Sequence, residues 1–168
     1  IESPQSYIIF MPTIELINNK LSQYKEREGK TYSVEGKNYE ISLLGVHGNV
    51  VEKEINDYIY EQEHYNYPIK ILATYDSAPK LHQIIGDNFY NQYFILVDEM
   101  HSLMTEYNYR SPAIEKLLTV LTRHENATYM SATTIAPEDG LLQLESLPRY
   151  EVIWPVDITT KILLENTT

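Results

Sequence analysis

The chain has 168 residues, of which 43% are hydrophobic and 22% are charged, values typical of one globular domain with its own core. Its 13 basic and 24 acidic residues give a net charge of −11, so the surface as a whole repels a nucleic-acid backbone, and tight binding by this chain alone is not expected. Cysteine is absent, which excludes disulfides and thiolate metal sites, and no apolar run approaches the ~20 residues of a membrane span.

The first half of the chain is predicted to alternate strands with helices. Short runs rich in β-branched and aliphatic residues predict strands at 6–12, 39–46 and 69–75. Apolar residues at helical spacing predict helices at 13–28, 50–65 and about 78–85. Thr13 is a candidate N-cap and Gly29 a candidate stop for the first of these helices. Residues 29–38 are expected to form an exposed, turn-rich excursion.

The second half continues the alternation, with strands predicted at 93–98, 127–133 and 150–155. Between them, Ser111 and Pro112 are expected to open a helix, because proline fits the first helical position. The pattern predicts an α/β fold with a mostly parallel sheet flanked by helices. Ligands bind such sheets at the carboxyl ends of the strands. The residues at these ends are Pro12-Thr13, Thr74-Tyr75-Asp76, Asp98-Glu99 and Ser131-Ala132-Thr133.

Two adjacent acids end the aliphatic run in FILVDEMHSL, residues 94–103. A carboxylate at the position of Asp98 suits hydrated Mg²⁺, and one at Glu99 suits the orientation and deprotonation of an attacking water. The simpler interpretation is a solvated strand end. A lone histidine such as His101 is likewise more often a hydrogen-bonded residue than a functional one.

Four segments in order give the sequence a family resemblance. VDEMH (97–101) resembles motif II of the superfamily 2 DExH-box helicases, and MSAT (130–133) resembles their motif III. FMPTIELINNK (10–20) is similar to motif Ia, and ILATYDS (71–77) is similar to motif Ib. The chain therefore resembles the first RecA-like motor domain of a DExH/DEAD-box helicase, a three-layer P-loop NTPase fold.

The resemblance implies ATP and Mg²⁺ as cofactors and roles for particular residues. Asp98 would hold the metal through water, Glu99 would be the catalytic base, and His101 would link the nucleotide site to the nucleic-acid side. The hydroxyls that couple hydrolysis to strand movement would be those of Ser131 and Thr133. Residues implied near the backbone of bound DNA or RNA are Pro12, Thr13 and Thr74. For these three the alternative is structural, since proline ends strands and threonine caps helices.

The phosphate-binding loop of such enzymes does not occur in this sequence. The only GKT is Gly29-Lys30-Thr31, which has Tyr24 where the loop requires glycine and follows a charged helix rather than a strand. In the family that loop precedes motif Ia, so we expect it before Ile1, in a longer protein that also supplies a second RecA-like domain. Residues 1–150 would then be a first motor domain incomplete at its N-terminus, and 151–168 an inter-domain connection or final strand. A missing strand is also expected to favour self-association.

Two other functions stay open at this point. The chain is also compatible with a motor-like binding or scaffold module that works through partners without hydrolysis. A metal-dependent hydrolase or nuclease would use Asp98, Glu99 and His101 directly and needs further ligands, for which Asp76 is the obvious candidate. A cytoplasmic location and no membrane partner are expected from the composition.

Overall fold

The computed structural model describes residues 3–124, 126–133, 144 and 147–151. Its strands are β1 (Tyr7–Met11), β2 (Thr31–Val34), β3 (Lys37–Glu40), β4 (Leu44–Val46), β5 (Lys70–Thr74), β6 (Phe94–Val97) and β7 (Ala127–Tyr129). Five of them form a parallel sheet in the order β4-β5-β1-β6-β7, and β2 pairs with β3 as an antiparallel hairpin. The predicted α/β fold with a parallel sheet is confirmed.

Helices lie on both faces of the sheet, which explains why its strands are apolar on both sides. They are α1 (Ile14–Tyr24), α2 (Glu52–His64), α3 (Ala78–Ile85), α4 (Asn88–Asn91), α5 (His101–Thr105) and α6 (Tyr107–Leu121). In β1, Ile8 and Phe10 enter the larger core, which also takes residues from α2, α3, α5 and α6. The alternate residue Met11 faces Ile17 of α1 in a smaller core. None of the helices in the described ranges has the length and apolar character needed to cross a membrane.

The predicted strand 39–46 is wrong as one element, because the structure divides it. Residues 37–40 belong to the hairpin, whereas Leu44–Val46 joins the parallel sheet beside β5. The turn-rich excursion is the β2–β3 hairpin, closed by Glu35 and Gly36 with φ of +51° and +79°. Two successive positive φ values match the twist of a two-residue hairpin turn. The Glu-Gly pair was a weak signal because glutamate rarely adopts this conformation.

Two boundaries in the second half also differ from the prediction. Helix α6 begins at Tyr107 rather than at Ser111, so Pro112 lies inside it. Five residues of α6 precede the proline, so Pro112 lies beyond the first turn and lacks the N–H that would bond to the carbonyl of residue 108. Strand β7 stops at Tyr129 instead of 133. Residues 150 and 151 are not in a strand, and 152–168 lie outside the described residues.

The amino ends of the strands carry a buried lysine. Lys70 has no exposed surface, and its Nζ donates to the Tyr32 hydroxyl at 2.7 Å while lying 4.7 Å from the centre of that ring. The Tyr32 hydroxyl in turn donates to the carbonyl of Ser3 at 2.9 Å. Burial lowers the pKa of Lys70 from 10.5 to about 8. The hairpin therefore closes the base of the sheet, opposite the edge where the sequence places its acids.

Gly45 lies where helix α1 approaches β4. A Cβ added there would lie 2.8 Å from Leu21 Cδ1 and 3.0 Å from Ile17 Cγ2. Gly45→Ala is therefore expected to lower the free energy of unfolding by about 1–3 kcal/mol, measured by urea denaturation. Gly48→Ala is the matched control, because nothing lies within 4 Å of its added Cβ. Equal stability of the two variants would contradict the close packing of α1 on β4.

Lys70→Met is expected to stabilise the fold near neutral pH, by about 1 kcal/mol, because it removes a buried charge. The advantage is complete below about pH 8, where folded Lys70 is protonated, and shrinks toward pH 10.5. Over this window the unfolded wild-type chain binds more protons than the folded one, so wild-type stability rises with pH. The measurement is urea denaturation across pH, with Lys53→Met, on an exposed part of α2, as control. A pH-independent difference would contradict the lowered pKa of Lys70.

Candidate nucleotide and coupling site

Parallel pairing brings the carboxyl ends of four strands to one rim of the sheet. Met11 in β1 pairs with Thr74 in β5, and Val97 in β6 pairs with both Phe10 and Tyr129. The residues that follow these strands therefore emerge side by side. This shared rim, formed by the segments after β1, β5, β6 and β7, is where the sequence predicts the functional residues.

The acid pair occupies a tight turn at the end of β6. The Asp98 N–H donates to the carbonyl of Phe10 at 2.9 Å, which continues the ladder with β1. Its Oδ1 accepts the N–H of Glu99 at 3.0 Å. Glu99 has a φ of +54°, in the left-handed region that a residue with a side chain adopts at a cost. This turn ends the strand, and α5 begins two residues later at His101.

His101 connects the acid pair to the segment after β7. Its Nδ1 lies 3.0 Å from the Ser131 Oγ and 3.2 Å from the Glu99 Oε2. A carboxylate only accepts hydrogen bonds, so the contact with Glu99 is favourable in the tautomer that carries the proton on Nδ1. The Ser131 Oγ also accepts the N–H of Thr133 at 3.1 Å. The structure thus brings together Asp98, Glu99, His101, Ser131 and the backbone of Thr133.

Backbone hydrogen bonds hold the turn after β6 in a fixed position beside the segment after β7. The Met130 N–H donates to the carbonyl of Val97 at 2.8 Å, and the Met100 N–H donates to the carbonyl of Met130 at 2.8 Å. The turn after β6 and the segment after β7 therefore behave as one bonded unit. About a third of each of the Glu99 and His101 side chains is exposed, at 34% and 31%. They are accessible to a ligand at the rim.

The three residues implied near nucleic acid have roles within the fold. The Thr13 Oγ1 accepts the N–H of Leu16 at 3.3 Å and so caps α1. Thr74 is 5% exposed, and its Oγ1 lies 2.9 Å from the Ser77 Oγ. Pro12 is buried at the end of β1. All three lie on the rim, but the two hydroxyls already have partners, and nucleic-acid contact by these residues stays a prediction.

Tyr75 is a residue to which the sequence assigned no role beyond its place at the rim. It is 1% exposed, and its hydroxyl donates to the carbonyls of Asp98 at 2.5 Å and Glu99 at 3.2 Å. It comes from the end of β5, so it reaches past β1 to the end of β6. A polar aromatic residue directly after a buried strand was the available signal, but only the structure identifies its partners.

A direct metal-hydrolase site receives no support from the described residues. Among them, no group of three or more histidine, aspartate or glutamate side chains has the spacing to hold a metal ion. Asp76 is exposed and forms part of the 3₁₀ turn Tyr75–Ser77. Asp98 and Glu99 nevertheless offer the oxygen ligands that hydrated Mg²⁺ accepts when phosphates supply the rest of its coordination. The donor chemistry fits a magnesium–nucleotide complex better than a metal held by protein alone.

The family model for DEAD/DEAH box helicase matches residues 2–139, most of the chain. The chain belongs to the DEAD/DEAH box helicase family. The match includes all four segments that resemble motifs Ia, Ib, II and III, and it agrees with a RecA-like first domain built on the parallel sheet described above. No curated protein matches the sequence. The resemblance inferred from the motifs is confirmed at the level of the family.

In this helicase domain, Ser131→Ala is expected to loosen the segment after β7. The change removes the acceptor of the Thr133 N–H and a partner of His101 Nδ1. The expected result is a loss of about 1 kcal/mol in unfolding free energy and faster hydrogen exchange at the Thr133 amide. Ser33→Ala, at an exposed hairpin position, is the control. Unchanged Thr133 exchange in the Ser131 variant would contradict the described contact.

Proposed function

We propose that this chain is the part of an ATP-dependent nucleic-acid helicase or translocase that carries the hydrolysis acids and the coupling motif. The observation that carries the proposal is the contact of one histidine with two functional segments. His101 Nδ1 lies within hydrogen-bond distance of Ser131 Oγ and 3.2 Å from Glu99 Oε2. Coupling of ATP hydrolysis to nucleic-acid movement requires a residue that contacts both the hydrolytic acid and the end of the neighbouring strand.

The two acids, Asp98 and Glu99, have different proposed roles in ATP hydrolysis. Asp98 would hold the magnesium ion of Mg·ATP through water, and Glu99 would orient the attacking water and accept its proton. The ion would supply positive charge that stabilises the phosphates during transfer. Asp98 is held by its bond to the β1 backbone, and its Oδ1 fixes the turn that presents Glu99. The acids are therefore set in place before a nucleotide arrives, and little reorganisation accompanies the reaction.

His101 would transmit the change at the hydrolytic acid to the side of the domain that faces the nucleic acid. When the Glu99 carboxylate accepts a proton, it loses its negative charge and with it the attraction for His101 Nδ1, so the existing contact with the Ser131 hydroxyl becomes the dominant one at that nitrogen. Ser131 also accepts the Thr133 N–H, so the change reaches the segment after β7. A change of charge at the acid is converted in this way into a change of hydrogen bonding one strand away.

DNA or RNA is the proposed partner, engaged through a longer protein rather than by this chain alone. The net charge of −11 opposes phosphate binding over the whole surface. A second RecA-like domain would supply the opposing cationic face, while Pro12, Thr13 and Thr74 lie at the rim on this side. We also propose self-association of the isolated chain, since β4 and β7 are the edges of the sheet within the described residues. A cytoplasmic location is proposed as well.

A scaffold module without hydrolysis is the second candidate, favoured by one sequence observation. None of the 168 residues forms a GxxxxGK[ST] phosphate loop. The two candidates differ in whether that loop is supplied elsewhere in the same protein. A strand followed by the loop in the coding sequence before Ile1 supports the enzyme.

The isolated chain is expected neither to hydrolyse ATP nor to bind it tightly, because its sequence contains no GxxxxGK[ST] phosphate-binding loop. In a longer protein that includes the loop, Glu99→Gln is expected to lower kcat for ATP by ~100-fold or more with little change in KM. The measurement is steady-state ATP hydrolysis with saturating nucleic acid. Glu52→Gln, exposed at the start of α2, is the matched control. Full activity of the Glu99 variant, or Glu99-dependent turnover by the isolated chain, would contradict the proposal.

A further inference from the structure

The turn that presents Glu99 needs support, because its backbone is in an unfavourable conformation. Glu99 has a φ of +54°, which costs ~1 kcal/mol or more for a residue with a Cβ. Two local contacts hold the turn: the Glu99 N–H donates to Asp98 Oδ1, and the Ser102 N–H donates to the Glu99 carbonyl at 2.8 Å. Both are local, and the backbone N–H groups of Asp98 and Met100 bond the two sides of the turn to Phe10 and Met130, but none of these bonds holds the peptide unit between Asp98 and Glu99 through its carbonyl.

A side chain from a distant part of the sequence also holds the turn. The Tyr75 hydroxyl donates to the carbonyls of Asp98 and Glu99, at 2.5 Å and 3.2 Å. Its ring is 1% exposed and belongs to the larger core, so the hydroxyl is fixed in position by packing. A buried donor shared by two successive carbonyls fixes the peptide unit between them. It therefore fixes both the φ of Glu99 and the direction of its side chain.

From this geometry we infer that Tyr75 is the positioning residue that holds Glu99 in the left-handed turn and against His101. Without the hydroxyl, the Asp98 and Glu99 carbonyls lose a buried donor, and the turn relaxes toward an ordinary backbone conformation. Glu99 Oε2 then moves away from His101 Nδ1, which lies 3.2 Å from it in the intact fold. The catalytic consequence rests on the proposed function of Glu99, but the structural consequence does not.

Tyr75 also connects two strand ends of the rim. It directly follows Thr74, which the motif Ib resemblance places beside a bound strand, and β1 lies between β5 and β6 in the sheet. The hydroxyl is thus a direct link from the end of β5 to the acid turn.

Tyr75→Phe tests this inference in the 168-residue chain by amide hydrogen exchange. The amides of Glu99, Met100 and Ser102 form the turn, bonded to Asp98 Oδ1, the Met130 carbonyl and the Glu99 carbonyl respectively. Their exchange is expected to accelerate about tenfold, as for the loss of one buried hydrogen bond.

Tyr58→Phe is the matched control, because it also removes a hydroxyl that is bonded to two carbonyls. Tyr58 donates to the carbonyls of Ser42 at 3.2 Å and Lys70 at 3.1 Å, at the opposite end of the sheet. Its loss is expected to accelerate the Lys70 amide, whose N–H donates to the Tyr58 hydroxyl at 3.1 Å, and to leave the turn protected. Unchanged turn amides in Tyr75→Phe, or equal acceleration in both variants, would overturn the inference.

ATP hydrolysis by the longer protein gives the catalytic readout. Tyr75→Phe is expected to lower kcat with an unchanged KM for ATP, while Tyr58→Phe leaves both at wild-type values. A KM effect alone would overturn the positioning role. Absence of hydrolysis by the wild-type protein would instead refute the proposed function, and the exchange experiment would still decide the role of Tyr75.

Discussion

The contact of His101 with both Glu99 and Ser131 is the interaction on which the functional interpretation depends. Nδ1 lies 3.2 Å from the carboxylate and 3.0 Å from the hydroxyl, so one imidazole joins the ends of two neighbouring strands. The parallel register of β6 and β7 makes the contact possible, because it brings Val97 level with Tyr129. A shift of one residue in either strand would turn the side chains to opposite faces and separate the acid from the hydroxyl.

The base and the rim of the sheet differ in how their polar groups are buried. At the base, the hairpin and its tyrosines enclose Lys70, whose pKa of about 8 reflects the cost of burying an ammonium group. At the rim, the Glu99 and His101 side chains are about one-third exposed, and the strain of Glu99 is offset by its N–H bond to Asp98 Oδ1 and by the Tyr75 hydroxyl, which donates to its carbonyl. The apolar core thus supplies the stability, the base carries the cost of a buried ammonium group, and the rim keeps the partly exposed carboxylates that a magnesium–nucleotide complex requires.

The sequence predicted what depends on local pattern. Strands β1, β5 and β6 each contain an apolar run, and both the acids after β6 and the hydroxyl of Ser131 follow strand ends, so the rim was foreseeable. The hairpin was not, because Glu35 adopts a positive φ that its residue type disfavours. The start of α6 was misplaced because proline usually lies in the first turn of a helix, whereas Pro112 lies beyond it. The role of Tyr75 depends on its reach past β1, and no sequence spacing encodes that distance.

The most direct measurement is a crystal structure of the longer protein with Mg²⁺ and a non-hydrolysable ATP analogue. We expect the metal within a water-mediated distance of the Asp98 carboxylate, about 4–5 Å, with the γ-phosphate facing Glu99 and the His101–Ser131 contact on the same side. A nucleotide bound away from this rim would contradict this expectation. So would a metal on the opposite face of the sheet from Ser131.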